Sequence, residues 1–550
     1  MTTASTTSRA RRNGRTQDGQ RTTSRLGLAA VFVTAAGACS DAAAPYTGDT
    51  PWGPCPAGFR DECRTLALPL DYAHPDLGTV PVFISRAPSF AASHADLWLL
   101  QGGPGDSADV FDVNVDELRR DVPGVDIYTL EQRGIGQSAR LGCPIQESAS
   151  SDQGTNISQA ELPACLAAVE SQWPEGLANF RLTPTANDLA HAIDRTRTPG
   201  HDVFVYGVSY GTAVAIRYMQ LRPNDAKGVI LDSIAAAGIA DFSHFSEQSD
   251  PVLHALADLC AADPGCVAHL GTDPWDALSK VTGEVADGHC PGAGFTRASL
   301  SGTIAGMLQS DALRVPAMAL LHRIDRCNPD DLAAIKAYQQ FAKAESSAPS
   351  DRYSPILYYN IVFNDLWGSP APSLDTLQAR CDALSICDEG SLALGEFRTS
   401  WPIFPLDPLS AQSPITTGSA VLLLNGTLDP QTPLANAIAF DDRLRSPHKT
   451  LVQVAFSAHA TIEQALVTNP TQAPCGFQIL ESFVGNPNAP DTSCAMESKP
   501  VSFDSDPIES ASVFGTPDFW DNDDAVDAGA GDGSPDGDAG DGSPDGGAGD

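Results

Sequence analysis

The 550-residue chain is 42% hydrophobic and 19% charged, a globular composition with enough length for two or more lobes. Its formal net charge of −36 excludes a nucleic-acid partner, because so few cations could not neutralise phosphates. The charge is uneven: the first 25 residues are basic and the last 35 are rich in Asp and Gly.

A short apolar run, Leu26 to Ala36, follows the basic start and leads into Ala36-Gly37-Ala38. Basic flank, apolar stretch and small residues predict a secretory signal over 1–38. Cys39 comes next and is similar to the lipid-bearing cysteine of a bacterial lipobox, although Ala36 stands where leucine is usual. Cleavage after Ala38 by an ordinary signal peptidase is the alternative. Contact with a membrane is expected only through a lipid on Cys39. Export makes disulfides possible. Thirteen cysteines less Cys39 leave an even number, and local pairing (Cys55 with Cys63, Cys143 with Cys165, Cys260 with Cys266, Cys381 with Cys387, Cys475 with Cys494) is the simplest of many connectivities. Cys290 and Cys327 remain. No paired Cys-x-x-Cys spacing favours zinc.

Residues 39–54 read as a linker. Strands are predicted at 64–72 and 79–85 with a turn between, then at 97–100 and 125–130. A helix follows over 186–195, a strand over 203–206, a helix over 212–221 and a strand over 228–232. This alternation predicts a mostly parallel sheet with helices on both faces, whose first part spans 55–240. From 241 to 412 helical patterns such as 251–260 and 331–344 dominate, and the segment reads as an inserted lid. Strands return at 420–424 and 450–454, and a helix over 477–483 closes the second part of the core, 413–500. Residues 501–550 read as an acidic disordered tail. Its two Gly-Asp-Gly-Ser-Pro-Asp-Gly copies are too few for a calcium-binding β-helix.

Gly207-Val208-Ser209-Tyr210-Gly211 lies between a strand and a helix, the context a nucleophile elbow requires. An acyl-transfer serine needs a base, an acid to orient that base, and donors for the oxyanion. In this fold the order is Ser, acid, His. Asp429 follows the strand at 420–424, and His459 follows the strand at 450–454. His448, at the wrong end of that strand, is the rival. The oxyanion donors are expected to be the amide of Tyr210 and one from Gly102-Gly103-Pro104-Gly105, with Gly103 ahead of Gly102. No metal or organic cofactor is needed for this chemistry.

Gly102 to Gly105, Glu131-Gln132-Arg133-Gly134-x-Gly136-x-Ser138, Gly207-x-Ser209-Tyr210-Gly211-Thr212, and the late Asp429 and His459 together resemble the proline iminopeptidase and tripeptidyl aminopeptidase group of α/β-hydrolases. The likeness covers about 55–240 and 415–500 and includes the opening at Cys63 and the close around Cys475 and Cys494. Glu131 departs from the usual Asp, and Ala458 and Ala460 stand where glycines are usual. Arg133 is expected to be structural, binding loop carbonyls. The resemblance implies an exported α/β-hydrolase that removes residues from peptides with a free N-terminus. It implies acidic groups for the substrate's ammonium, for which Asp365 is the candidate. Two rivals are an esterase of small exported metabolites and a non-enzymatic surface binding protein on a hydrolase scaffold. An intact triad argues against the second.

Overall fold

The structure is a computed structural model that describes residues 48–521, apart from 153, 155, 175, 346–351 and 470. The expected signal segment, Cys39 and residues 522–550 lie outside the described residues.

Nine strands form one sheet: β1 Gly53–Pro54, β2 Glu62–Pro69, β3 Thr79–Ala87, β4 Ala95–Leu100, β5 Val125–Leu130, β6 Asp202–Val208, β7 Gly228–Asp232, β8 Ala420–Gly426 and β9 Lys449–Val454. Their spatial order is β1-β2-β3-β5-β4-β6-β7-β8-β9. β1 to β3 are antiparallel, β3 meets β5 antiparallel, and every pairing from β5 to β9 is parallel. β1 falls inside the segment expected to be linker. It forms because Gly53 and Pro54 pair with Cys63 and Glu62 at the sheet edge.

The inner parallel strands β4 to β8 are largely apolar and buried because both faces are covered. Alternate residues divide between two cores. Trp98, Leu100, Tyr128, Val205, Leu231 and Leu423 face one core, which takes in α1 (Leu182–Thr196) and α2 (Tyr210–Leu221). Leu97, Leu99, Ile127, Phe204, Ile230 and Leu424 face the other, filled by Phe477, Leu480 and Phe483 of α6 (Cys475–Gly485).

Between β7 and β8 the chain is helical, including α3 (Ser249–Ala261), α4 (Arg314–Arg326) and α5 (Pro355–Asp365). Most of this insertion builds its own core around Leu253, Leu256, Leu300, Ile304, Leu320 and Ile324. α5 differs: its Ile356, Leu357, Ile361 and Val362 join the sheet-side core.

The folded chain runs further than expected. Residues 501–521 are folded, with α7 at Pro507–Val513, and Phe503, Val513, Phe514, Phe519 and Trp520 bury themselves in the insertion's core. The acidic composition that begins beyond them drew the predicted boundary too early, past five apolar residues that have a face to cover.

Six disulfides join Cys55–Cys63, Cys143–Cys165, Cys260–Cys266, Cys290–Cys327, Cys381–Cys387 and Cys475–Cys494. They are the five local pairs with the two remaining cysteines joined to each other. Among the described residues no helix is long and apolar enough to cross a membrane.

Candidate active site

Ser209 stands at the turn between β6 and α2 with φ 55° and ψ −126°. This left-handed backbone is strained for a non-glycine residue and is the kind of strain that functional sites hold. The flanking glycines make the turn possible. A Cβ on Gly207 would run into the backbone of Gly211, and one on Gly211 would run into the Leu100 carbonyl of β4. The Ser209 amide donates to the Asp232 carbonyl at 2.9 Å, which ties the turn to the end of β7. Tyr210 opens α2, where the first amides have no intrahelical acceptor and point outward.

The loop after β4 lies directly on the serine. A Cβ on Gly102 would stand 2.7 Å from Ser209 Cβ and 3.2 Å from Ser209 Oγ. Gly103 has φ 104°, open to glycine alone without strain. Glu131 secures the chain beyond Gly105: its buried carboxylate accepts from Ser107 Oγ at 2.5 Å, the Ala108 amide at 3.0 Å and the Gln137 amide at 2.9 Å. Burial pushes that carboxyl upward.

Asp429 is buried in the turn after β8. It accepts from the Gln431 amide at 2.8 Å, the Thr432 amide at 2.9 Å and Thr432 Oγ1 at 2.7 Å. His459 Nδ1 lies 2.9 Å from Asp429 Oδ2 and 3.0 Å from Oδ1. Burial opposes charge on both groups, but the pairing outweighs it. Asp429 is held below the ordinary carboxylate range, with Thr432 helping, and His459 is held above the ordinary imidazole value. An acceptor on Nδ1 selects the tautomer that leaves Nε2 free to act as a base.

The histidine loop is fixed from two sides. From the sheet, Asp232 Oδ1 accepts from the Thr461 amide at 2.9 Å and hydroxyl at 2.7 Å, Oδ2 accepts from the Ile462 amide at 2.9 Å, and Ser233 Oγ accepts from the Ala460 amide at 2.9 Å. From the insertion, Asp311 Oδ1 accepts from the Ala458 amide at 2.7 Å, and Arg314 donates to the Phe456 carbonyl. Gln464 donates to the His459 carbonyl. Asp232 therefore holds Ser209 with its carbonyl and the histidine loop with its carboxylate. The structure joins Asp429 to His459 by hydrogen bonds and brings Ser209 and His459 to one edge of the sheet through Asp232. Among the described residues no hydrogen bond joins Ser209 Oγ to His459 itself.

Asp232, Asp311 and Thr432 were not singled out from sequence. Asp232 left a signal: a carboxylate that ends an otherwise apolar parallel strand is buried and must be satisfied. Asp311 left none, because its partner lies 147 residues away.

Asp365 does not serve as a free anion. Its Oδ1 pairs with Arg181 Nη2 at 2.8 Å, and its Oδ2 accepts the Leu182 amide at 3.1 Å. It is buried at the start of α1, with its charge already matched. Arg133 is fully buried, paired with Asp188 at 2.6 Å and donating to the carbonyls of Leu70, Asn179 and Pro69. His448 is exposed at the entrance of β9.

Among the described residues two sets of side chains have metal-ligand spacing, Asp96, Asp126 and His201, and Glu284, His289 and Asp325. The first lies at the strand starts, the far end of the sheet from Ser209, where His201 Nδ1 already contacts Asp96 at 2.8 Å. In the second, Lys280 supplies the cation, 3.4 Å from Asp325 and 3.9 Å from Glu284.

A parallel sheet with a strained serine turn after β6, an acid after β8 and a histidine after β9 is the α/β-hydrolase architecture, and this chain has that fold. The family profile of the alpha/beta hydrolase fold matches residues 97–261. The serine protease Hip1 of Mycobacterium tuberculosis is 26% identical over 256 residues, 41% of this chain and 48% of that protein. The chain thus spans about half the length of the curated relatives it matches. Among solved structures, a proline iminopeptidase of Mycobacterium smegmatis has 13% identity and a TM-score of 0.34, covering 72% of this chain and 92% of that one. An esterase of Thermogutta terrifontis also has 13% identity and a TM-score of 0.34, covering 77% and 99%.

Proposed function

We propose that this protein is an exported serine hydrolase that cleaves residues or short peptides from the free N-terminus of peptides. The observation that carries the reading is the strained Ser209 turn sharing one sheet edge with the His459–Asp429 pair. Ser209 Oγ attacks the carbonyl carbon while His459 Nε2 takes its proton. The amides of Tyr210 and of Gly103 or Gly102 hold the oxyanion, each donor worth about 3–4 kcal/mol in the transition state. His459 returns the proton to the leaving amine, and water, activated by the same histidine, releases the acyl group. Asp429 keeps the imidazole oriented and stabilises its charged form. The peptide substrate is supported by the similarity to a serine protease over part of the chain, and by the motif resemblance to iminopeptidases.

Export is supported by the six disulfides, which persist in oxidising compartments. They consume twelve of the thirteen cysteines and leave Cys39 as the odd one, in the place where a lipid would be attached.

A serine-directed phosphonate is expected to label Ser209, and Ser209→Ala to lose on the order of 10⁴-fold or more in turnover. A fully active Ser209→Ala protein would refute the assignment. Screening aminoacyl, dipeptidyl and tripeptidyl chromogenic amides beside simple esters separates peptidase from esterase. Mass spectrometry of the mature amino terminus is expected to find a diacylglyceryl group on Cys39. An intact Met1 would remove the export argument.

A further inference from the structure

The helical insertion meets the Asp429–His459 pair at its acid end as well as at the histidine loop. Leu428, the residue before Asp429, is buried in the insertion's own core although it stands just past β8. Gln248, the N-cap residue of α3, reaches the same turn. Its side-chain amide faces the carbonyls of Pro430 and Gln431. Carbonyls can only accept, so the amide nitrogen is the atom turned toward them. It donates to the Pro430 carbonyl at 2.9 Å and to the Gln431 carbonyl at 3.1 Å.

What Gln248 holds is the backbone that holds the carboxylate. The Gln431 and Thr432 amides donate to Asp429 Oδ1 at 2.8 Å and 2.9 Å. The Pro430 carbonyl belongs to the same peptide unit as the Gln431 amide, and the Gln431 carbonyl to the same unit as the Thr432 amide. In a planar trans peptide the C=O and N–H point in opposite directions. Gln248 therefore grips both units from the side opposite Asp429, and donation to each carbonyl polarises the N–H that reaches the carboxylate. The side chain has no task in its own helix. Glutamine is not a favoured N-cap residue, and Gln248 makes no side-chain capping bond there. Its backbone is nonetheless anchored. The Gln248 amide donates to the Phe245 carbonyl at 3.2 Å. The short helical turn before it, Phe242–Glu247, is tied down by the Phe242 amide on the Leu366 carbonyl at 2.9 Å and by the Ser246 amide on Ser391 Oγ at 3.0 Å.

We propose that Gln248 is a positioning residue for Asp429: through two peptide units it fixes the carboxylate that orients His459. The inference rests on the triad reading of Ser209, His459 and Asp429. Together with Asp311 on the histidine loop, Gln248 gives the insertion a hold on both members of the pair. The insertion is then part of the scaffold of the acid and the base, not only a cover over the serine.

The test compares the native protein with Gln248→Met, which keeps the side-chain length and removes the donor, and with Gln248→Asn, which keeps the donor one carbon shorter. Calorimetry sets an assay temperature at which every variant is folded. The substrate is a chromogenic amide or ester that the native protein hydrolyses, followed across pH. Gln248→Met should lower kcat by about 10- to 100-fold with KM nearly unchanged, as a small misplacement of a reacting group does. Gln248→Asn should recover part of that loss. The acid limb of kcat/KM reports the base of the free enzyme. Burial lowers the His459 value, and Asp429 and then Asp232 raise it. Asp232 is held by Thr461 and Ile462 without Gln248. Slackening Asp429 alone should therefore move the acid limb of Gln248→Met to lower pH. An unchanged kcat in Gln248→Met overturns the proposal. So does a fall in kcat with the acid limb unmoved, which marks Gln248 as merely structural. Ser209→Ala is assayed alongside: if it is inactive, the triad reading stands whatever Gln248 does. If it is fully active, that reading falls, and this inference with it.

Discussion

Asp311 Oδ1 accepts the amide hydrogen of Ala458 at 2.7 Å, so the helical insertion grips the backbone one residue before His459. Arg314, buried and 3.2 Å from the partly buried Asp311, donates to the Phe456 carbonyl. Burial raises the Asp311 carboxyl to about 6 despite Arg314 and the Ala458 donor. The insertion is thus mechanically joined to the segment that carries the proposed base. Asp311→Ala leaves the Ala458 amide without its acceptor, at a cost of about 1–3 kcal/mol in stability. A loosened His459 loop is expected to lower kcat by up to about 10²-fold, with a smaller change in KM. Steady-state kinetics beside denaturant unfolding check both parts, and an unchanged kcat would show that the grip does not position the base.

The Asp429–His459 pair sets the pH dependence. The neutral imidazole is the base, and Asp429 raises the pH at which the ring loses its proton. The rate should therefore rise with pH through a value above the ordinary imidazole one. Asp429→Asn removes that influence, so the acid limb of the profile moves to lower pH while kcat falls by about 10⁴-fold. Stability follows the opposite limbs. The His459 contribution is present below its unfolded value and lost as pH rises through the raised folded value. The Asp429 contribution is present above its unfolded value and lost as pH falls through the lowered folded one. The difference in Tm between the native protein and Asp429→Asn should be widest between about pH 4 and 6.5, where both charges are present. A difference flat across this range would refute the pairing as a charged one.

Ala460 follows His459 with φ 64°. Alanine in this region is strained by about 1–2 kcal/mol. Ala458, the other position where glycine was expected, is not in that region; its amide is instead held by Asp311. Ala460→Gly relieves the strain but adds about 0.5–1 kcal/mol of chain entropy to the unfolded state. The net expectation is a gain of up to about 1 kcal/mol in denaturant unfolding. A loss of stability would show that the Ala460 methyl group packs usefully against the loop.

The sheet was legible because its strands are apolar on both faces, and each is followed by a turn or helix signal. That Ser209, Asp429 and His459 each stand after a strand of one sheet was legible, because position along the chain ranks candidates that residue type cannot. The insertion was not legible in detail. Its helices are satisfied by contacts with one another, so their sequence shows helical periodicity without saying which face meets the serine. Asp365 illustrates the difference. The family resemblance made it the candidate for the substrate's ammonium, but only the fold brings Arg181, 184 positions away, to neutralise it.

The C-terminal segment shows how far composition misleads at a boundary. Trp520, 1% exposed, closes the insertion's core although it lies at the threshold of the acidic region. Its Nε1 donates to the Phe503 carbonyl at 3.0 Å, and its ring stacks on His269 with centroids 5.0 Å apart. Arg323 holds the same strap by donating to the carbonyls of Phe519 at 2.7 Å and Asp518 at 3.0 Å. Burial and the neighbouring Arg326 charge push the nearby His322 down to about 4, so that ring remains neutral against the indole. Trp520→Ala opens a cavity in this core and should cost about 3–5 kcal/mol. Because the insertion has a core of its own, calorimetry of the variant is expected to split the unfolding transition, with the insertion melting before the sheet. The Asp311–Ala458 contact would be lost in that first step, so activity should disappear with it. A single transition at the native Tm would mean that residues 501–521 cover the insertion without stabilising it.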